Sequence, residues 1–255
     1  MKITESKRRH LLTHTSGLSY DLFHPLLQKW RMMKGEKVAS GPTIVERFHY
    51  PLAYEPGTSW EYSSALDWAG KMVECINDNC TLTGYLASNV LKPLGITDAT
   101  FHIDKRPDIL ETMADLSAKD ASQGGKMIFA ESDLVKEGAI DDMGGGGAFT
   151  SPASYMKIMQ SLLANDGKLL KPDTVDQMFE PQLNDGSQKA SMGKLQIPTV
   201  NAVYGALPPL VKKDWAFAGL VNCDDILDRR LAGSGGWIGL PNMNWVGLLG
   251  LRSQY

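Results

Sequence analysis

The order of apolar and polar positions predicts a chain of short helices separated by glycine- and proline-rich turns. Residues 8–17, Arg-Arg-His-Leu-Leu-Thr-His-Thr-Ser-Gly, read as a helix that stops at Gly17, which tolerates the left-handed backbone of a helix end. From 18 to 62 no period holds. Pro25, Pro42, Pro51 and Pro56-Gly57 interrupt the segment, so irregular structure is expected there. Over residues 64–77, Leu66, Ala69, Val73 and Ile76 recur at spacings of three and four, one face of a helix. Ser64 stands where its N-cap belongs, and Asp67 where a capping box would place an acidic partner. A further helix is expected from about Thr81 to Leu91, ending before Pro93-Leu94-Gly95.

Beyond it, residues 103–143 are polar and mixed, with strand character only near Lys126–Ala130. The glycines 144–147 lead into Phe149-Thr150, and Ser151-Pro152 caps a helix that runs to about Asn165. Residues 181–231 show few clean periods. The stretch from Trp237 to Leu251 alternates turn residues with short apolar runs and reads as one or two strands. No internal repeat or low-complexity linker interrupts the chain, and residues 1–255 are expected to form a single domain.

Composition narrows the class. The 255 residues are 43% hydrophobic and 22% charged, ordinary for a globular enzyme with one large core. A formal net charge of −3 speaks against a nucleic-acid partner. No apolar run approaches the ~20 residues of a membrane span, and the charged N-terminal segment has no signal-length apolar stretch. Three cysteines, Cys75, Cys80 and Cys223, leave at least one unpaired, which favours a reducing, cytoplasmic setting. Neither they nor the histidines have zinc-ligand spacing, and no metal or cofactor is expected. The glycine run lacks a following Gly-Lys-Ser/Thr and so is not a phosphate loop.

Several motifs stand in a telling order. His10-Leu11-Leu12-Thr13-His14-Thr15-Ser16-Gly17-Leu18 comes first. Pro51-Leu52, Glu55-Pro56-Gly57-Thr58 and Tyr62-Ser63-Ser64 follow, then Leu91-Lys92-Pro93-Leu94-Gly95-Ile96. The glycine run before Phe149-Thr150-Ser151 and Trp237-Ile238-Gly239-Leu240-Pro241-Asn242 complete the set. Together they resemble the β-lactamase-related serine enzymes, which include class C β-lactamases, DD-peptidases, family VIII esterases and fungal transesterases of polyketide pathways. The resemblance implies an α/β (α+β) fold, a mixed sheet flanked by helices with a helical lobe, here incomplete at both ends. The Gly239–Asn242 tail and Ala206-Leu207-Pro208-Pro209 are most similar to the transesterase branch. That branch implies ester hydrolysis or acyl transfer on a small natural product of secondary metabolism. Its partners would be an ester or acyl thioester donor and an alcohol acceptor.

The same resemblance implies a Ser-x-x-Lys pair well upstream of the His-Thr-Ser-Gly segment, and only nine residues precede His10. Two such strings occur elsewhere, Ser154–Lys157 and Ser191–Lys194, both on the wrong side of the tyrosine motif. Ser154 is expected in the first turn of a surface helix with Lys157 in solvent, and Ser191 in a loop. Tyr62 is the remaining candidate for proton transfer. A free phenol has a pKa of about 10, so a tyrosine base needs nearby positive charge. With the lysine absent and Trp237 where β-lactamases carry Lys-Thr-Gly, Tyr62 is expected to stay protonated. Trp237, Gly239 and Leu240 are the candidates for the oxyanion strand, with Arg47 and Ser64 beside the pocket. The residue-level alternatives are a solvated Arg47, a purely capping Ser64, a simple turn at Gly239 and a structural His14. For the chain as a whole, the alternative is a non-catalytic pseudoenzyme or fragment that binds a ligand or partner.

Overall fold

The computed structural model describes residues 8–130, 138–203, 207–239 and 243–247. The first part is helical: α1 (Arg8–Leu12), α2 (Pro25–Met33), α3 (Ile44–Phe48), α4 (Ala65–Ile76) and α5 (Leu82–Leu86). α5 continues through a π turn at Ala87–Leu91 and a 3-10 turn at Lys92–Leu94, and Gly95 closes it with φ 60°. Next come β1 (Ala99–Thr100), α6 (Pro107–Leu110), β2 (Ser117–Asp120), β3 (Lys126–Phe129) and β4 (Phe149–Thr150). α7 (Pro152–Ala164), α8 (Pro172–Phe179), α9 (Asp185–Leu195) and α10 (Pro198–Val203) precede a meander of β5 (Lys213–Ala216), β6 (Gly219–Asn222), β7 (Gly235–Gly239) and β8 (Met243–Gly247). The meander keeps its sequence order in space, β1 pairs with β4, and β2 with β3. Among the described residues every strand pairing is antiparallel.

Local chemistry accounts for several departures from the sequence expectations. α1 ends at Leu12 rather than near Gly17 because His14 already turns left-handed, at φ 55°. The Thr13 hydroxyl occupies the Arg9 carbonyl at 2.8 Å. Gly17 is still required, since a Cβ there would sit 2.4 Å from the Tyr54 carbonyl oxygen. The segment 18–62 is not wholly irregular. Pro25 opens α2 at a position where a missing N–H costs nothing. Thr43 and Glu46 form a capping box that starts α3. Both prolines and short spacing had masked these helices.

The reading of 181–231 as a periodless excursion is likewise corrected. α9 buries Ser187 and Ser191 beside Leu195, so its inward face carries no apolar stripe. The Asn184 side chain accepts from the Ser187 N–H at 2.9 Å and caps it. At the other helix, Ser64 does hold the N-cap position but makes no capping bond. Its hydroxyl instead lies 3.3 Å from that of Tyr50.

Two apolar cores flank the segment 60–67. One gathers Trp60, Leu195, Leu207, Trp215, Leu220 and Ile226, with Tyr62 and Trp237 packed against it. The other gathers Leu27, Ile44, Phe48, Tyr50 and Met143, with Tyr20 and Trp68 at its edge.

Candidate functional site

The tyrosine motif is held from behind by the His-Thr-Ser-Gly segment. The Gly57 N–H donates to the Thr15 carbonyl at 2.7 Å, Glu61 N–H to His14 O at 3.1 Å, and Ala53 N–H to Gly17 O at 2.8 Å. The Ser63 N–H then donates to Nδ1 of His14 at 3.3 Å, and the Ser63 hydroxyl lies 3.2 Å from the same nitrogen. An acceptor at Nδ1 places the ring proton on Nε2. Burial pulls the His14 pKa down to about 3, so the ring is neutral across the physiological range. His14 therefore shapes the loop that carries Tyr62 and stands behind it as a hydrogen-bond acceptor.

Tyr62 lies in an aromatic wall. Its ring centroid is 4.6 Å from His14, 4.8 Å from Trp237 and 5.7 Å from Tyr20. Trp215 of β5 meets Trp237 of β7 edge-on at 4.6 Å. The Trp237 indole N–H donates to the Tyr62 hydroxyl at 3.4 Å. Burial pushes the Tyr62 phenol up from its ordinary value; the Trp237 bond opposes this and the charge of Asp67 adds to it. The hydroxyl thus keeps its proton and is suited to donate it, unless a cation is brought close.

The other candidates separate. Trp237 and Gly239 share β7, Gly239 pairing with Met243, while Leu240 lies outside the described residues. Arg47 is not solvated. It is 1% exposed in the helical core, its Nε donating to the Gly41 carbonyl at 2.9 Å. Ser64 faces Tyr50 in that same core.

In both Ser-x-x-Lys strings the lysine bonds a group other than its serine. Ser154 is buried rather than on the surface and its hydroxyl bonds Asp98. Lys157 reaches instead to the Gly95 carbonyl at 3.1 Å. Ser191 is buried within α9, not in a loop. Lys194 bonds Glu61, whose other oxygen lies 3.9 Å from His24. Neither lysine addresses its serine.

Two participants escaped sequence reasoning. Trp215 sits in a stretch without visible period, so only the meander brings it to the wall. Asp67 had been read as a capping residue, yet its carboxylate accepts the Gly145 N–H at 2.9 Å. A Cβ on Gly145 would lie 2.6 Å from Oδ2, so the glycine run is needed to close over this carboxylate. Burial pushes the Asp67 pKa up to about 6, against the opposing Gly145 bond and the nearby Arg47 charge. Among the described residues no group of three or more His, Cys, Asp or Glu side chains could hold a metal ion. None of their helices is long and apolar enough to cross a membrane.

The β-lactamase profile matches residues 7–236. The chain belongs to the β-lactamase family. Within it, ML-236A carboxylate methylbutanoyltransferase of Penicillium citrinum is 39% identical over 94% of this chain and 57% of that protein. The lovastatin esterase of Penicillium rubens is 35% identical over 94% of the chain and 58% of its own length. Among solved structures, a mutant simvastatin synthase from Aspergillus terreus superposes with a TM-score of 0.86 at 37% identity, over 97% of this chain and 60% of that one. The β-lactamase-like fold and the likeness to fungal acyltransferases are therefore shown. The chain spans under two thirds of the length of these relatives.

Proposed function

We propose that this β-lactamase-family chain forms the tyrosine-bearing wall of a serine acyl-transfer site that works on small molecules. The observation that carries the reading is the Tyr62–Trp237 contact. It couples the motif tyrosine to the strand that the family resemblance assigns to oxyanion binding. In such a site a serine attacks the carbonyl of an ester or thioester, and the alcohol or thiol departs with a proton. An acceptor hydroxyl, or water, then attacks the acyl-enzyme; its proton passes through the tyrosine–lysine pair to the serine oxygen as the acyl–serine bond breaks. Tyr62 takes the proton-transfer role, and Trp237 and Gly239 border the substrate. The serine and lysine are not supplied by Ser154–Lys157 or Ser191–Lys194, whose lysines bond other groups. Removing a nucleophile of this kind costs roughly a million-fold in turnover. Free thiols at Cys75, Cys80 and Cys223 favour a reducing, cytoplasmic setting for the protein.

The test is hydrolysis of p-nitrophenyl 2-methylbutanoate by the chain alone and by the chain joined to an upstream segment carrying the Ser-x-x-Lys pair that the family resemblance implies. The chain alone is expected to match background. The joined protein is expected to turn over, and Tyr62→Phe to lower its kcat a hundredfold or more. Enzyme-like hydrolysis by the chain alone, abolished by Ser154→Ala or Ser191→Ala, would overturn the reading. A second reading, a ligand-binding pseudoenzyme, uses the same buried wall and predicts binding without turnover in both proteins.

A further inference from the structure

Helix α2 turns only Leu27 and Arg31 into the helical core. Its other side is open. Leu26 is 70% and Met33 80% exposed, with Met32 at 76% and Phe23, just before the helix, at 63%. At 3.6 residues per turn, Leu26, Trp30 and Met33 fall within about 60° of one another and form one stripe along the helix. Exposed apolar surface that is contiguous in this way marks a contact site, unlike single scattered side chains.

Charge is arranged around the stripe. Lys29 stands about 40° to one side of it and Lys34 about 40° to the other. The Lys34 ammonium lies 4.4 Å from the centroid of the Trp30 ring. Lys29 and Lys37 are exposed. From Leu22 to Glu46 there are four basic residues and two acidic ones. Both acids are engaged. Glu36 takes Arg31 at 2.7 Å and Lys34 at 2.8 Å, and Glu46 folds back onto Thr43. The face is thus cationic in a chain whose net charge is −3.

Beside the stripe, Trp30 and Lys34 share an open hollow of about 310 Å³ with His49, Tyr50 and Pro51. Its lining among the described residues holds no carboxylate, so its polar edge presents Lys34 and His49 to an acceptor such as a phosphate. A convex apolar stripe with cations on both flanks is the arrangement of a helix that lies in an anionic interface. Leu26 and Met33 would enter the acyl boundary, and the lysine stems let their ammoniums reach back to the phosphates. The face also runs on into the aromatic wall. Phe23 meets Tyr20 at 6.3 Å, and Tyr20 meets Tyr62 at 5.7 Å.

We propose that α2 docks the protein, lying parallel to the surface, on a membrane that carries anionic phospholipid. The contact is peripheral, since none of the helices among the described residues is long and apolar enough to cross a bilayer. It does not depend on the acyl-transfer reading. Its test is cosedimentation of the chain with vesicles of phosphatidylcholine alone and of phosphatidylcholine mixed with phosphatidylserine. Binding to the mixed vesicles is expected to be roughly tenfold tighter or more, and high salt should remove the difference. Leu26→Ser together with Met33→Ser should weaken binding roughly tenfold or more. Lys29→Gln together with Lys37→Gln should abolish the preference for the mixed vesicles. Phe129→Ser, at an apolar position 63% exposed on β3, should change nothing.

Thermal unfolding of each variant checks that it is folded. Should the Leu26 and Met33 variant not fold, the lysine variant decides the matter, because both of its side chains are exposed. A chain that stays in the supernatant with both vesicles, as a face made for an acidic protein would leave it, overturns the proposal. So does equal binding to the two compositions, binding that survives Leu26→Ser with Met33→Ser, or binding that only Phe129→Ser removes. None of these outcomes bears on turnover by the joined protein, so the docking face and the acyl-transfer reading fail separately.

Discussion

The short segment 60–67 separates two buried regions that treat polar groups in opposite ways. On the sheet side, His14 stands among Tyr62, Trp60 and Trp215, and burial holds it neutral with a pKa near 3. On the helical side, Asp67 is held toward its neutral form with a pKa near 6, again by burial. Elsewhere on that side Asp21 and Arg31 form an ion pair at 2.8 Å, 0% and 3% exposed. Glu36 completes it at 2.7 Å, and the Ala39 N–H joins Asp21. Where the fold supplies opposite charge and donors, a buried ion pair is kept. Where burial outweighs the donors and charge supplied, as at His14 and Asp67, the neutral form is favoured. The aromatic side therefore favours neutral groups, and the helical side holds paired charges.

The largest effects should come from breaking each region at its centre. Trp60→Ala should cost about 3–5 kcal/mol in urea unfolding, the usual range for a buried tryptophan. Arg31→Met should cost a similar ~3–5 kcal/mol by stranding Asp21. The two regions differ in what rescues them. Adding Asp21→Leu to Arg31→Met should recover part of that loss, whereas no second truncation beside Trp60 should do so. A double variant less stable than Arg31→Met alone would show that the ion pair is not what organises the helical side.

The pH dependence sharpens the contrast. His14 has a folded pKa below its unfolded value, so its contribution is complete above about pH 6.5 and is lost as the pH falls toward 3. Relative to His14→Gln, the unaltered chain should lose up to ~3 kcal/mol between pH 7 and pH 4. Asp67 behaves in reverse. Its folded pKa lies above the unfolded one, so its contribution is complete below about pH 4 and is lost as the pH rises through 6. Asp67→Asn, which keeps an acceptor for the Gly145 N–H, should gain up to ~2–3 kcal/mol over the parent from pH 4 to pH 7. Parallel stability curves for parent and variant would remove either group from this account.

The smallest expected change is in stability on Tyr62→Phe. The lost bond is long, at 3.4 Å, and the ring remains packed, so unfolding free energy should move by under about 1 kcal/mol. A loss of several kcal/mol would mean that the hydroxyl is part of the scaffold.

Much of this was legible in the residues. The 64–77 period marked α4, Ser151-Pro152 marked α7, and the ordered motifs led to the family. What was misread shares a cause. Pro25 and Thr43 start helices too short for a hydrophobic period to show, and α9 hides because its inner face is serine. Ser64 and Asp67 matched a local capping pattern, but distant groups compete for their oxygens: Tyr50 across fourteen residues and Gly145 across seventy-eight.

The sequence by itself determined the family, the turns that need glycine and the place of the tyrosine motif, because these depend on residue type and near neighbours. Only the tertiary structure decided the rest. It set His14 behind Tyr62 and sent the lysines of both Ser-x-x-Lys strings to other partners. The reason is physical. Local pattern governs backbone conformation, while the charge and hydrogen bonding of a buried group depend on what the folded chain brings against it.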